Sequence, residues 1–296
     1  MASKKTIQTL EILKQVRKLE ISTKQLVDGL ITGNYHSVFK GQGIEFSEIR
    51  EYRAGDDVRA IDWNVTARFN HPYIKEFIEE RDLHVYFVLD MSGSGGFGNN
   101  ITKKRKSVEV ASSLMFAALR NNDKIGVFLY TDTIETFVPA RKGRKHVLRA
   151  LSSIVSFTPK SHSTNLKTTL IQISKILKKR SILFVISDFF DSSDYFHPLK
   201  ILRAKHDVIA LKISDLREQQ IPSIGLIELE DEETGEQILV DTSDSLFQKN
   251  YSGIVSKNEM KLVSNLRRLK IDFIKILSDE EYAIPLKTFF KKRVRR

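Results

Sequence analysis

A regular alternation of apolar runs and amphipathic segments begins at residue 83 and constrains the fold more than any other feature. Leu83–Leu89 is an apolar run that ends at Asp90, as expected of a strand buried on both faces. Further strands are predicted at Ile125–Tyr130, Ile134–Val138 (a short edge strand), Ser181–Ser187, Asp207–Ile213 and Ile271–Ile276. Helices are predicted at Lys106–Asn121, Arg144–Ile154, Leu166–Lys179, Pro198–Lys205 and Ser245–Leu269. This order predicts an α/β fold with a doubly wound, mostly parallel sheet.

The region before residue 81 has a different character. Residues 5–30 show helical spacing of apolar residues, and Ile44–Ile49 and Tyr73–Ile78 are predicted to be short strands between turns. We therefore expect an N-terminal helical and short-strand region over residues 1–80 and an α/β domain over residues 81–296. Ser278–Glu281 has the pattern of a capping box and predicts the start of a basic C-terminal helix.

Composition excludes several classes of protein. The chain has no Cys, which excludes disulfides, thiol catalysis and Cys-ligated metal sites. It has 48 Lys and Arg against 37 Asp and Glu, and a net charge of +11 favours contact with something acidic. We see neither a signal-peptide pattern nor an apolar run of membrane-spanning length, and we expect a cytoplasmic protein.

Oxygen-bearing side chains follow the predicted strands at three places. Asp90, Ser92 and Ser94 follow the first strand, Thr164 precedes the Leu166 helix, and Asp188 follows the strand Ser181–Ser187. Ligands of such sheets bind at the carboxyl ends of the strands, near the point where strand order reverses. Hydroxyl and carboxylate oxygens suit a hard cation such as Mg²⁺, Mn²⁺ or Ca²⁺. With at most two ionised ligands, such a cation would still attract a carboxylate from a partner.

These five residues resemble the metal-ion-dependent adhesion site of von Willebrand factor A domains. The strand and helix order from residue 83 to about 276 also resembles that fold. The resemblance implies that Ser92, Ser94 and Thr164 contact the metal, while Asp90 and Asp188 hold it directly or through water.

A narrower resemblance covers nearly the whole chain. It rests on several short motifs taken together: Gly33–Ser37, Gly41–Phe46, Arg50–Asp57, Arg59–Trp63, Thr66–Arg68, Glu79–Arg81, Ser187–Phe189, Arg203–His206 and Asp231–Gly235. They resemble the bacterial family catalogued as domain of unknown function fifty-eight. The resemblance implies an adaptor or chaperone-like partner of a MoxR-type AAA+ ATPase. Members of that family usually have Met soon after the second Ser of the metal motif, whereas Gly95–Gly98 follows here and predicts a more flexible loop.

Other patterns leave alternatives open. Acid-rich Asp188–Asp194 and the basic charge suggest a Mg²⁺-dependent phosphoesterase acting on nucleic acid as the alternative function, although no catalytic residue is assigned. The charged residues around Trp63 indicate either a loop-fixing ion-pair network or a docking surface. Basic clusters, among them Lys103–Lys106 and Lys287–Arg296, are typical of solvated helix ends, although the tail is also compatible with nucleic acid or an anionic membrane. The glycines of Gly93–Gly98 resemble a nucleotide-binding loop only formally, because the residues that should follow are missing.

Overall fold

The computed structural model describes residues 12, 14–23, 44–69, 71–79, 83–93, 102–230 and 235–294. Residues 14–23 form helix α1. The strands are β1 (Ile44–Glu51), β2 (Tyr73–Glu79), β3 (His84–Asp90), β4 (Lys124–Tyr130), β5 (Ile134–Arg141), β6 (Ile182–Ser187), β7 (Asp207–Ser214), β8 (Leu226–Glu230), β9 (Gln237–Asp241) and β10 (Asp272–Leu277). The helices after α1 are α2 (Trp63–Phe69), α3 (Lys103–Arg120), α4 (Arg144–Val155), α5 (Leu166–Ile176), α6 (Phe196–Lys205), α7 (Leu216–Gln219), α8 (Ser245–Arg268) and α9 (Ala283–Val294). A 3-10 turn covers Val58–Ala60.

Six strands form the central sheet in the order β10-β7-β6-β3-β4-β5. The first five are parallel to their neighbours, and β5 runs antiparallel to β4 at the edge. The predicted mostly parallel sheet and its edge strand are thereby confirmed. The strand pairs β1-β2 and β8-β9 are antiparallel and separate from the central sheet.

Helices cover both faces of this sheet because successive strand residues are apolar. Val85, Phe87 and Leu89 face one core, which is completed by side chains of α3, α4 and α9. Tyr86 and Val88 face a second core, which is completed by α5, α6 and α8. In the described part of the chain, no helix combines the length and apolar character that crossing a membrane requires.

The N-terminal region is described in part. Of the predicted helix 5–30, residues 14–23 are helical, and Val16 is buried in the core shared with α3 and α4. Glu20 accepts hydrogen bonds from Arg144 on α4. The ends of the predicted helix and most of the glycine-rich stretch that follows it lie outside the described residues. The division at residue 80 stays a prediction.

The capping box predicted at Ser278 is wrong. Ser278 is fully buried, and its hydroxyl donates to the Asp215 carboxylate at 2.8 Å, so it caps no helix. Helix α9 begins later, at Ala283. A capping box occurs instead at α7, where the Asp215 and Glu218 side chains accept from backbone N–H groups. The Ser-x-x-Glu pattern did not reveal that a buried carboxylate would take the hydroxyl.

Gly126 on β4 provides a test of the packing between sheet strands. A Cβ at this position would lie 2.4 Å from the Tyr86 ring and 2.9 Å from the backbone oxygen of Val138. Because both neighbours are fixed in the sheet, Gly126→Ala is expected to lower the free energy of unfolding by about 1–3 kcal/mol. Urea denaturation measures the change.

Gly253, in the middle of α8, is the matched control. A Cβ at Gly253 has open space around it, so Gly253→Ala is expected to stabilise the protein by roughly 0.5–1 kcal/mol. If the two alanine variants changed stability by the same amount, the proposed packing at Gly126 would be wrong.

Candidate functional site

The order of the strands brings two aspartates to one place. From β3 the chain passes to β4 on one side and later returns to β6 on the other side of β3. Strand order therefore reverses at β3 and β6, and ligands of open α/β sheets bind at the carboxyl ends of such strands. Asp90 is the last residue of β3, and Asp188 directly follows β6.

The Asp90 carboxylate accepts four hydrogen bonds. Its Oδ1 accepts from the backbone N–H of Ser92 at 3.1 Å and from the Ser92 hydroxyl at 2.6 Å. Its Oδ2 accepts from the Tyr130 hydroxyl at 3.1 Å and from the Ser187 hydroxyl at 2.8 Å. Asp90 is thus fixed by β4, β6 and its own turn. The Ser92 hydroxyl donates its proton to Asp90, so the lone pairs of its oxygen stay available to a cation.

Asp188 is held at a sharp turn beside Asp90. Its Oδ1 accepts the Phe190 backbone N–H at 3.0 Å, while the backbone N–H of Phe189 donates to the Ser187 hydroxyl oxygen. Phe189 has a φ of 55°, a left-handed conformation that turns the chain away from the strand end. Ser187 therefore contacts Asp90 directly, and the next residue, Asp188, lies beside the same carboxylate.

The two carboxylates affect each other. Burial and the nearby charge of Asp188 raise the pKa of Asp90 to about 6, although hydrogen bonds from Ser92 and Ser187 oppose the rise. Burial and the charge of Asp90 raise the pKa of Tyr130 well above its ordinary value, so its hydroxyl stays a donor. Negative charge at Asp90 is costly in the metal-free protein, and a cation there would relieve that cost.

The loop that carries Thr164 lies against the Asp90 turn. The Gly93 N–H donates to the His162 carbonyl at 2.9 Å, and the Asn165 N–H donates to the Thr131 carbonyl at 3.1 Å. Thr164 stands between His162 and Asn165 and is therefore held near the carboxyl ends of β3 and β4. Ser94 and the flexible loop predicted at Gly95–Gly98 lie outside the described residues. Of the five predicted ligands, the structure brings Asp90, Ser92 and Asp188 together and places the loop of Thr164 beside them.

Lys103 also belongs to the site, and the sequence interpretation missed it. Its ammonium donates to Asp188 Oδ2 at 2.8 Å and to Glu218 Oε1 at 2.6 Å, and its side chain is only 6% exposed. The prediction that Lys103–Lys106 is a solvated charge cluster is wrong for its first and last residues, because Lys103 and Lys106 are both buried. Lys106 is also buried, donates to the Glu280 carbonyl at 2.9 Å and lies over the Tyr282 ring.

The position of Lys103 has a clear electrostatic cost. It is the first residue of α3, where the helix dipole disfavours positive charge. Burial alone would lower the pKa of Lys103, but the charges of Asp188 and Glu218 outweigh burial and raise it. The signal that could have found Lys103 is Thr102, because an N-cap residue there starts the helix three residues before the predicted Lys106.

A small cavity of about 10 Å³, near the minimum that holds one water molecule, lies beside the two aspartates. Its lining includes Asp90, Asp188 and Lys103, but neither Ser92 nor Thr164, so it lies on the α3 side of Asp90. Nowhere in the described ranges do three or more His, Asp or Glu side chains form a group that could share a metal ion. The candidate ligands are two carboxylates with hydroxyls, a donor set that fits a hard divalent cation.

Other predicted features have structural roles. Asp191 accepts the backbone N–H of Leu166 at 2.7 Å and that of Ser193 at 2.7 Å, so its carboxylate holds two loops together. Arg50 pairs with Asp56 through two hydrogen bonds, as the ion-pair interpretation of that stretch predicted. Trp63, in the same stretch, is 69% exposed, so the structure leaves the docking alternative open.

Comparison with known proteins identifies the family. Residues 48–261 match the family described as "Protein of unknown function DUF58". The chain belongs to this family. The "Uncharacterized protein Rv1480" of Mycobacterium tuberculosis is 28% identical over 283 residues, which cover 95% of this chain and 89% of that one. YeaD of Bacillus subtilis is 28% identical over 109 residues, 36% of this chain and 25% of that protein.

Two solved structures are distantly similar. One is described as the conserved hypothetical protein BatB from Bacteroides thetaiotaomicron, at 14% identity and a TM-score of 0.47, covering 72% of this chain and 100% of that one. The other is an aerotolerance-related membrane protein from Bacteroides fragilis, at 14% identity and a TM-score of 0.49, covering 72% and 98%.

The raised pKa of Asp90 predicts that ionising this carboxyl group lowers the stability of the metal-free protein. The cost of ionising Asp90 is absent below pH 3.8, where the folded and unfolded states are both protonated, and it is complete above about pH 6. In a chelator, the free energy of unfolding of Asp90→Asn relative to wild type should be about 2–3 kcal/mol higher at pH 7.5 than near pH 4. The hydrogen bonds that the Asn amide nitrogen cannot accept lower stability at both pH values and do not change this difference. Urea denaturation across this pH range measures it.

Asp194→Asn, which changes an exposed carboxylate, is the control and should show no such rise in relative stability with pH. If the stability of Asp90→Asn relative to wild type did not rise between pH 4 and pH 7.5, the assignment of a costly buried charge would be contradicted.

Removing Lys103 should destabilise the protein strongly. Lys103→Met leaves Asp188 and Glu218 without their shared cation, and we expect a loss of about 3–5 kcal/mol in the free energy of unfolding. Adding Glu218→Gln to Lys103→Met should recover part of this loss, because one unpaired carboxylate is then gone. Lys200→Met, at an exposed position of α6, is the control. Equal stabilities of the Lys103→Met and Lys200→Met proteins would rule out the buried ion pairs.

Proposed function

We propose that the chain is a metal-ion-dependent protein-interaction module with a von Willebrand factor A-like core. A divalent cation held by Asp90, Ser92, Ser94, Thr164 and Asp188 completes its coordination with an Asp or Glu of a partner protein. The observation that carries this proposal is the convergence of Asp90, Ser92 and Asp188 where strand order reverses.

The charges of the described residues support a divalent cation. Lys103 compensates about one negative charge of the Asp188 and Glu218 pair that it contacts. With Asp90 ionised, these three carboxylates outnumber the cations near them, which are Lys103 in direct contact and Lys212, whose charge also acts on Asp188 and Glu218. A bound divalent cation supplies the compensating charge and an electrophilic position for an external carboxylate. Mg²⁺ is the favoured ion and Mn²⁺ or Ca²⁺ the alternatives, because the ligands are oxygen atoms.

Each residue has a distinct role in this proposal. The Ser92 hydroxyl, oriented by its bond to Asp90, presents its oxygen to the cation. Asp90 stays anchored to Tyr130 and Ser187 and orients the hydroxyls around it. Lys103 holds Asp188 in place and compensates part of its negative charge. A cation bound beside Asp188 is therefore less fully neutralised and still attracts a carboxylate from a partner.

The partner is proposed from the family resemblance. A MoxR-type AAA+ ATPase would be that partner, and this chain would act as its adaptor or as a chaperone-like component. The cation site requires an exposed Asp or Glu on the partner's surface. Trp63 and the neighbouring exposed residues offer additional contact area, since exposed Trp and Arg side chains are favoured anchors of protein interfaces.

The alternative function, a Mg²⁺-dependent phosphoesterase acting on nucleic acid, stays a prediction. Its motivation was the acid-rich stretch after β6. Both carboxylate oxygens of Asp191 accept backbone N–H groups, an arrangement that suits a loop-fixing residue more than a proton-transferring one. The interaction module therefore accounts for the geometry better.

A metal titration tests the proposed cation site. Mg²⁺ should bind wild type in calorimetry and raise its melting temperature, whereas Asp90→Ala, Ser92→Ala and Thr164→Ala should each bind at least about tenfold more weakly. Ser163→Ala changes an exposed hydroxyl of the same loop and should bind Mg²⁺ like wild type. Equal Mg²⁺ binding by wild type and Asp90→Ala would remove the cation site from the proposal.

Binding to the MoxR-type ATPase tests the partner. We expect this binding to require Mg²⁺ and to be lost in Asp90→Ala and in the presence of a chelator. If wild type and Asp90→Ala bound the ATPase equally well, the interaction would not use the cation.

A further inference from the structure

The open edge of the central sheet forms a second candidate binding site. β10 pairs with β7 along one edge, and none of the described strands pairs with its other edge. A cavity of about 970 Å³ is lined by Asp272–Lys275 of β10 together with residues of α8 and α9. Since α8 packs on one face of the sheet and α9 on the other, a cavity that reaches both helices and β10 must lie along this open edge. We call it the β10 groove.

The β10 groove is both basic and apolar. Six of its lining residues are Lys or Arg, and Asp272 is its only acidic one. Some of these cations have structural partners: Lys275 binds Glu259 at 2.7 Å, and Arg293 pairs with Asp207 and Asp272. Arg293 therefore ties the basic C-terminal helix to the sheet, and this residue is not part of a fully solvated tail.

Three cations at the mouth of the groove remain exposed. Arg267, Lys270 and Lys292 are exposed, and no ion pair of theirs is found within the described ranges. The lining also contains apolar side chains, among them Phe273 and Ile284, the latter 65% exposed. An occupant that fits this surface carries both acidic and apolar groups.

We propose that the β10 groove binds an extended acidic segment of a partner protein, which adds to the sheet as a strand beside β10. The outer edge of β10, with which no strand of the described ranges pairs, offers backbone N–H and C=O groups at the spacing of a peptide, and such edges bind added strands. β10 has six residues, so a strand of about 20 Å would cover it. Unlike the cation site, the groove would recognise the partner's backbone as well as its carboxylates.

A strand fits the groove better than a nucleic acid does. Single-stranded nucleic acid is bound through exposed aromatic side chains on which the bases stack. The aromatic residues of the groove, Phe273 and Phe289, also contact the cores, and Phe289 is only 9% exposed. The open strand edge has no role in binding a nucleic acid, whereas it has a direct role in binding a peptide.

A peptide-binding experiment tests the proposal with the full chain. The probe is a fluorescein-labelled nine-residue peptide of alternating leucine and glutamate, and fluorescence anisotropy measures its affinity. We expect saturable binding that is at least about tenfold weaker for Arg267→Glu/Lys270→Glu. Lys257→Glu/Lys261→Glu makes the same charge change on exposed residues of α8 outside the groove and should bind the peptide like wild type.

Two further probes separate strand addition from charge attraction alone. The same peptide with alternate backbone amides methylated keeps its charge and should lose binding, and a lysine-for-glutamate peptide should not bind. Equal affinity for the methylated peptide, or no saturable binding of the first peptide, would overturn the proposal. So would tighter binding of a 20-nucleotide single-stranded DNA that displaces the peptide, or self-association of wild type that the groove variant abolishes.

Discussion

The close approach of Asp90 and Asp188 depends on the pairing of β3 with β6. The two strands are parallel neighbours in register from Val85 with Ile182 to Leu89 with Ile186, so their carboxyl ends lie side by side. Because each strand is buried on both faces, neither can shift along the other without moving apolar side chains out of their cores. The packing of the sheet therefore holds two negative charges together that would otherwise separate.

This arrangement makes the ionised form of Asp90 electrostatically unfavourable. Asp90 is satisfied by four hydrogen bonds, yet burial and Asp188 still raise its pKa. Lys103 offsets the charge on the other side, at Asp188 and Glu218, and leaves Asp90 without a contacting cation among the described residues. The uncompensated negative charge therefore lies at Asp90, the residue that also orients the Ser92 hydroxyl.

The sequence predicted the parts of this site that follow from strand pattern. An apolar run that ends in Asp90 and another that ends before Asp188 identify the sheet edge, and the reversal of strand order then brings the two residues together. Lys103 could not be placed in the same way. A Lys within a run of basic residues has the composition of a solvated helix end, and its burial depends on Glu218, which is 115 residues away in the chain. Ser278 shows the same limit, because its partner Asp215 is also distant in sequence.

The proposed cation site and the proposed peptide site in the β10 groove would contact different parts of a partner protein. The first lies at the carboxyl ends of β3 and β6, whereas the second runs along the outer edge of β10, with β7 and β6 between β10 and β3. A metal-bound carboxylate fixes a single point, while strand addition fixes direction and register over several residues. Both favour acidic partners, which agrees with the net charge of +11. Glu218, which contacts Lys103, lies on α7 directly after β7, the strand that pairs with β10.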